Sequence, residues 1–490
     1  MSTKTKQWGA IIVMIALFAM IAFVTNLCSP MAVIVKNQFG ASNFLSQIGN
    51  YGNFIAYLVM GIPSGMLIKK FGYKKTALMA LAVGIVGILV QWASGKLGFG
   101  VYLIGAFICG GCMCMLNTVV NPMLNLLGGG GNKGNQLIQI GGVFNSAAAV
   151  AVYILMGALI GEATKAKISD ATPALMIALA IFVIGFIVIL FTKIEEPQQP
   201  VEVKSEVKDK YSAFSFRHFK LGILAIFLYG GIEVGTPTYI LQYLTADNQE
   251  VKTAKINALN AYNNNELDIK DAAKIILNPT NAADFEYEEK HITETIEKID
   301  KGTITVDKVE KAAPGIFMSG TIAGLIVAVY WLMMLIGRFI GGAIGGRVSS
   351  KTMVTAVSIA AIALVLFGMF APTNWLVKVP GIDWANLKVI WAEVPVGIFA
   401  FILVGLCTSV MWGAIFNLAT EGLGKYTAIA SGAFMTMVFG FAIMVGMQGL
   451  VADWTSSYMI SYVVVLFCAA YILFYALVGS KNVNKDITVN

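Results

Sequence analysis

The chain predicts an all-α membrane protein: twelve transmembrane helices in two pseudo-symmetric six-helix bundles, with an extracytoplasmic helical insert between the seventh and eighth. Three observations predict it. Of 490 residues, 57% are hydrophobic and only 12% charged, whereas soluble domains average about 25% charged. The apolar residues gather in runs near the ~20-residue length that crosses a hydrocarbon core. The basic residues sit in the short connections and favour one side. Backbone groups in lipid must be paired within the protein, and runs this long are not barrel strands, so helices fit.

Read in order, the spans fall at 8–29, 44–68, 76–94, 99–127, 137–161, 173–192, 219–245, 318–346, 352–371, 395–419, 427–451 and 458–479. The first follows a basic start and resembles a secretory leader. Its apolar run is too long for one, and no small-residue cleavage site follows, so it reads as a span. Residues 1–192 form the first bundle. A Pro-, Gln- and charge-rich stretch, 193–218, reads as a cytoplasmic linker, and 219–490 holds the second bundle. The connections on the N-terminal side carry nineteen Lys and Arg, Arg338 among them, against six in the short loops opposite. That bias puts both termini in the cytoplasm, in the inner membrane. The net charge of +7 is therefore an orientation signal, and no basic patch points to nucleic acid.

The insert, 246–313, holds 14 of the 27 acidic residues and nine Lys. Patches such as DIKDAAKIILN and EEKHITETIEKI predict a small helical cap. Its charges read as a solvated surface, or else as a lid or partner surface.

The two halves repeat each other. GMLIKKFGYKKT (Gly65–Thr76) follows the second span and GGAIGGRVSSKT (Gly341–Thr352) the eighth. Duplicated bundles with a midplane site between them are a transporter design. Gly65, Lys69, Lys70, Gly72 and Lys75 in the first turn are gating candidates. Their counterparts are Arg338, Gly341, Arg347 and Lys351 around the second.

Glu233, in LGILAIFLYGGIEVGTPTYILQYL (Leu221–Leu244), is the acidic residue deep inside a long apolar run. A carboxylate there costs about 2.5–3.5 kcal/mol on insertion scales, so it faces a cavity with a task or is a hydrogen-bonded structural group. It is the candidate for binding a solute and for coupling to a proton or sodium ion. Amides and aromatics at helical spacing supply further binding candidates: Asn26, Asn50, the stripe Asn117–Asn121–Asn125, Asn145, Tyr239, Gln242, Trp331, Trp412 and Asn417. Amides and tyrosines both donate and accept, which suits a neutral polyhydroxylated ligand. Interhelical hydrogen bonding is the other use of such amides.

Other chemistries lack their residues. The six cysteines lie in apolar stretches and, with only His218 and His291, build no zinc site. GGGGNKG (128–134) has no preceding strand and no Gly-Lys-Ser/Thr, so it is no nucleotide loop. No metal, cofactor or nucleophile–base set is expected, and the chain does not read as an enzyme. An exporter of amphipathic solutes, or a non-transporting sensor working through the insert, stays open beside a carrier.

Four stretches resemble the major facilitator superfamily and, within it, the fucose–galactose–glucose symporter family. They are VVNPMLNLLG with VFNSAAA (Val119–Gly128, Val143–Ala149), Phe216–Leu244, YWLMMLIGRFIGG (Tyr330–Gly342) and IFNLATEGLGKYTAIAS (Ile415–Ser431). The resemblance implies a secondary-active sugar carrier working by alternating access, with cation-coupled import of a hexose or related saccharide. It implies a monomer in the lipid bilayer with no prosthetic cofactor. Asn145 matches a sugar-contacting asparagine and Glu233 a membrane carboxylate of glucose/galactose members. The acids that couple protons in the fucose members match Ser29 and Asn117 here, and neither titrates. The helix-ten W-P-T pattern becomes Trp412-Gly413-Ala414.

Overall fold

The computed structural model describes residues 8–39, 43–160, 168–192, 194, 211–277, 289–318, 320–383, 388–484 and 487. Among them the side chains of 28–39, 43–50, 153–160, 168–171, 245, 290–291, 294, 320–321, 381–383, 390 and 392 are not described. Asn50, Ser29 and most of the 193–218 linker therefore lie outside the described side chains.

Five helices make the first half: α1 (Trp8–Phe39), α2 (Asn43–Leu97), α3 (Phe99–Leu127), α4 (Gly131–Ile160) and α5 (Ile168–Phe191). α1 continues past the end expected at residue 29, because the MAVIVKNQF tail keeps a helical pattern before its basic end. α2 is two crossings in one. Its apolar part, Tyr51–Leu97, has 47 residues, twice what a hydrocarbon core needs. It breaks at Gly72, whose φ of 82° lies in the region that favours glycine.

The second half holds α6 (Arg217–Gly230), a π-turn (Gly231–Gly235), α7 (Thr236–Thr245), α12 (Gly320–Ile344), α13 (Ser350–Phe370), α14 (Val396–Thr420), α15 (Thr427–Thr436), α16 (Gly440–Thr455), α17 (Tyr458–Ser461) and α18 (Val463–Phe474). Ten described stretches are long and apolar enough to cross a membrane. Counting α2 twice and adding α4, they accommodate the twelve expected crossings. α1 packs on α3, α4 and α5, while α14 packs on α6, α12 and α13; α4 meets α12 and α14 across the halves, and α2 meets α15.

The two basic turns share a job. Lys74 Nζ donates to Leu190 O (3.0 Å) and Thr192 O (2.9 Å), the end of the first half's last helix. Lys351 Nζ donates to Leu477 O (3.0 Å), beside the end of the second half's last helix. Each cation thus satisfies carbonyls that a helix end leaves free. The repeat in the sequence pairs Lys75 with Lys351; in this function the partner is Lys74, one residue earlier.

The insert is helical, as its sequence predicts: α8 (Gln249–Asn263), α9 (Ile269–Leu277), α10 (Glu289–Asp300) and α11 (Val306–Lys311). Leu259, Ala273, Ile276 and Ile299 form its own small core. Asn248 and Thr305 cap α8 and α11. Lys252, buried, donates to Glu310 O (3.0 Å) and Ala312 O (2.6 Å). Gly315–Met318 return along the end of α7 through four backbone hydrogen bonds to residues 243–247, and Ser456 Oγ donates to Lys311 O. The insert is fastened to the second half.

One element has no counterpart in the sequence reading. Between α13 and α14 the chain makes an antiparallel hairpin, β1 (Leu376–Asp383) with β2 (Lys388–Pro395), in register Lys378↔Glu393 and Val379↔Ala392. Val379 and Val394 are buried against the bundle, while Leu376, Val389 and Trp391 are exposed. The alternation is the period of a half-buried strand.

Candidate functional site

The site is built where α6 gives way to α7. The local sequence, GGIEVGTP, combines glycines with Pro237, which has no N–H to give the preceding turn. The helix widens there into a π-turn, a feature frequent at functional sites. Glu233 sits in it with its side chain 13% exposed, facing α12 rather than lipid.

Arg338 of α12 meets it: Arg338 Nη2 lies 3.5 Å from Glu233 Oε1, and its own side chain is 10% exposed. The other guanidinium nitrogen reaches across to the first half. Arg338 Nη1 donates to Ser146 Oγ (2.7 Å), Asn145 Oδ1 (2.9 Å) and Gly142 O (3.2 Å), all on α4. Asn145 Nδ2 in turn donates to Phe18 O of α1 (2.8 Å). Tyr229, one turn before Glu233, donates from Oη to Thr408 O of α14 (3.2 Å). Gly142 leaves room for this side chain: a Cβ there would stand 3.1 Å from Arg338 Cδ, and the stem would have to shift by a few tenths of an ångström. A buried charge pair is tolerated only when its remaining donors and acceptors are satisfied, and here α4 satisfies them.

Below this pair, toward the Gly72 end, the asparagine stripe of α3 runs along the seam. Asn117 Nδ2 donates to Tyr57 Oη (2.8 Å). Asn121 Oδ1 accepts from Trp412 Nε1 (3.1 Å). Asn125 Nδ2 donates to Asn417 Oδ1 (3.0 Å), and Asn417 Nδ2 to Ser350 Oγ (2.9 Å). Gln139 Nε2 donates to Val410 O and Gln136 Nε2 to Gly342 O, both at 2.9 Å. Those of Asn121, Asn125, Gln136 and Gln139 cross between the halves, and they fall between the midplane and the Gly72 end. A hollow of about 10 Å³ remains among Phe18, Gln139, Gly142, Arg338, Ser409 and Trp412, enough for one water. The seam is polar and closed in this state.

The other sequence candidates lie at different places. Asn26 donates to Ala22 O of its own helix (2.8 Å). Tyr239 Oη donates to Val445 O (2.9 Å) toward the insert end, and Gln242 is exposed there. The half-buried Trp331 stands edge-on to Tyr330, ring centroids 5.6 Å apart. Trp412 packs among Tyr229, Phe434 and Phe441. Among the gating candidates, Lys69, Lys70, Lys75, Arg347 and Lys351 are exposed, while Gly65 and Gly341 are buried at helix contacts. Arg338 is not in the basic turn with which its charge was counted; it lies within α12, at the centre of the seam.

Ser146, Tyr229, Tyr330 and Thr408 complete the site and were not singled out from sequence. Arg338 carried the same signal as Glu233, a charge inside the apolar run LMMLIGRFIGG. Chemically, the site offers one carboxylate, one guanidinium and a set of amides and hydroxyls, a neutral ensemble able to exchange its internal hydrogen bonds for those of a polar solute.

The model for the Major Facilitator Superfamily matches residues 13–258 and 275–487. The glucose/galactose transporter of Brucella abortus (strain 2308) is 25% identical over 491 residues, 98% of this chain and 97% of its own. The L-fucose-proton symporter of Escherichia coli (strain K12) is 20% identical over 494 residues, 95% of this chain and 92% of its own. Among solved structures, the transporter FucP in the outward conformation superposes with a TM-score of 0.70 at 20% identity, covering 96% of this chain and 99% of that one. With the family model matched over nearly its whole length and the fold shared, the chain belongs to the Major Facilitator Superfamily.

Proposed function

We propose that the chain carries a neutral hexose or related saccharide across the cytoplasmic membrane by alternating access, coupled to a cation and directed inward. One observation carries this reading: the Arg338–Glu233 pair lies on the seam between halves and spends its hydrogen bonds on Asn145, Ser146 and Gly142 of the other half. A solute that takes those bonds couples its own binding to separation of the halves. The names of the full-length relatives, glucose/galactose transporter and L-fucose-proton symporter, support a sugar as that solute. The ensemble is charge-balanced, which favours a neutral sugar over an acidic one.

The halves move as 1–192 and 219–490 about the 193–218 linker, as a monomer with both termini cytoplasmic. In that orientation the Gly72 end faces the cytoplasm, and the seam from Asn145 to Asn125 seals the inner side. Asn117, Asn121, Asn145, Trp331, Trp412 and Asn417 form the binding surface, with Asn26, Asn50, Tyr239 and Gln242 toward the outer approach. Glu233 is the coupling carboxylate, since Ser29 and Asn117 offer no acid. The turns around Gly65–Lys75 and Gly341–Lys351 gate the inner side.

The test is uptake of a labelled sugar panel into proteoliposomes, with proton and sodium gradients imposed separately. Uptake of glucose or galactose driven by one gradient is the expected result; no saccharide uptake under either gradient, or with none, ends the proposal.

A further inference from the structure

Pro237 leaves a gap in the backbone ladder at the residue on which the site turns. As the π-turn ends, the N–H of Thr236 bonds Ile232 O, four residues back; the next N–H in that pattern, that of residue 237, would bond Glu233 O, and proline has none. A side chain of another helix stands at that carbonyl. Tyr330 Oη of α12 lies 3.1 Å from Glu233 O and 3.3 Å from Ile232 O. Thr408 Oγ1 of α14 is 3.2 Å from the same hydroxyl, and Thr408 itself donates to Gly405 O within its own helix (3.1 Å). Tyr330 is fully buried, so its hydroxyl must bond to protein. Tyr330 and Arg338 share α12, about two turns apart. One helix therefore supplies both the hydroxyl at the backbone of Glu233 and the guanidinium at its carboxylate.

We propose that Tyr330 is the positioning residue of Glu233: its hydroxyl stands in for the N–H that Pro237 lacks and fixes where the carboxylate points relative to Arg338. Tyr330 touches no solute in this role. It holds the π-turn against α12 and α14, so that any shift of α12 relative to α4 carries Glu233 along with Arg338. The transport consequence rests on the proposed role of Glu233 as the coupling carboxylate, so the test reads Glu233 directly as well as through uptake.

The full chain in proteoliposomes is treated with dicyclohexylcarbodiimide, which consumes protonated carboxyl groups in apolar surroundings. Labelling of Glu233 is followed by peptide mass spectrometry across a pH series with no sugar present. Tyr330→Phe keeps the ring and removes the hydroxyl. Tyr471→Phe is the control, since it removes a like bond to Leu221 O (3.2 Å) at the other end of the same helix. In Tyr330→Phe, labelling extends about half a pH unit further toward alkaline pH, because a loosened carboxylate loses part of its contact with the guanidinium. Tyr471→Phe overlays the parent. Adding Pro237→Ala to Tyr330→Phe restores a backbone donor and brings the curve back toward the parent, and this double variant also serves if Tyr330→Phe alone folds poorly. Sugar uptake by Tyr330→Phe falls about tenfold, with its pH profile displaced in the same direction as the labelling. A Tyr330→Phe labelling curve that overlays the parent, or a double variant that stays as displaced as the single one, overturns the positioning role. A displaced and rescued labelling curve in a chain whose parent moves no sugar upholds the positioning role and overturns the transport reading.

Discussion

The halves meet along two seams built from opposite materials. Between α2 and α15 the contact is backbone on backbone: a Cβ on Gly65 would stand 2.6 Å from Ala428 O, and one on Gly61 would run into Thr436 and lie 2.7 Å from Gly432 O. Such an interface depends mainly on the close approach of the two backbones. Between α4 and α12 the contact runs through Arg338, whose bonds to Gly142, Asn145 and Ser146 could each be taken over by a solute hydroxyl. Glycine contacts let helices slide or hinge, whereas exchangeable polar contacts let a ligand decide when they do. On the proposed function, the first seam would serve as a bearing and the second as a latch.

The latch should be the more sensitive of the two. Arg338→Met strands the Glu233 carboxylate in a buried site, and breaking one partner of such a pair costs about 3–5 kcal/mol. Uptake should fall by about a hundredfold or more, with a matching loss of thermal stability in detergent, since that loss exceeds the ~1.4 kcal/mol per tenfold of an equilibrium. Pairing it with Glu233→Gln removes the stranded charge and should recover most of the stability but little of the uptake. Equal recovery of both would make the pair a structural strut and dissolve the contrast with the glycine seam.

The bearing should answer to size and not to charge. Gly65→Val places a branched side chain against the backbone of α15, and overpacking of this kind costs about 1–3 kcal/mol. The seam then cannot close as it does here. Uptake should drop roughly tenfold, while the pH and cation dependence of the residual activity stay those of the parent. Gly65→Ala should fall between the two in a rate measurement. A changed cation dependence in Gly65→Val would mean that the two seams are not separate devices.

How much of this was legible beforehand follows from which forces act over short sequence distances. Crossing length and loop charge are local quantities, so the helices, the Gly72 break and the helical insert could be read directly. Glu233 was legible because a carboxylate inside an apolar run is anomalous on its own. Arg338 was equally anomalous, yet its nearness to a basic turn let it pass as a loop charge; only the packing of α12 against α4 reveals where it points. Lys74 rather than Lys75 caps the end of α5 because helix phase, set by the break at Gly72, decides which of two adjacent cations faces the carbonyls. The hairpin at Leu376–Pro395 lies between the ninth and tenth spans, where Pro380 and Gly381 interrupt the apolar pattern, and the sequence reading assigns no element there. That Asn26 bonds within its own helix while Asn121 and Asn125 cross the seam depends on rotamers that spacing cannot show.

The smallest expected effect tests whether the latch extends beyond Arg338. Asn125 and Asn417 meet at the Gly72 end of the polar seam, one bond between the halves at 3.0 Å, with Ser350 behind Asn417 at 2.9 Å. A neutral hydrogen bond of this kind is worth about 0.5–1.5 kcal/mol net. Asn125→Ala and Asn417→Ala should each lower uptake by about two- to fourfold, and the double variant should lose less than the product of the singles, because the shared bond is lost only once. The coupling should vanish in a Gly65→Val background if that seam already prevents closure at the same end, since a bond that never forms has nothing left to lose. Full additivity in the parent would mean that Asn125 and Asn417 merely fill the seam, and that the ligand-sensitive contact is confined to the guanidinium and its three acceptors on α4.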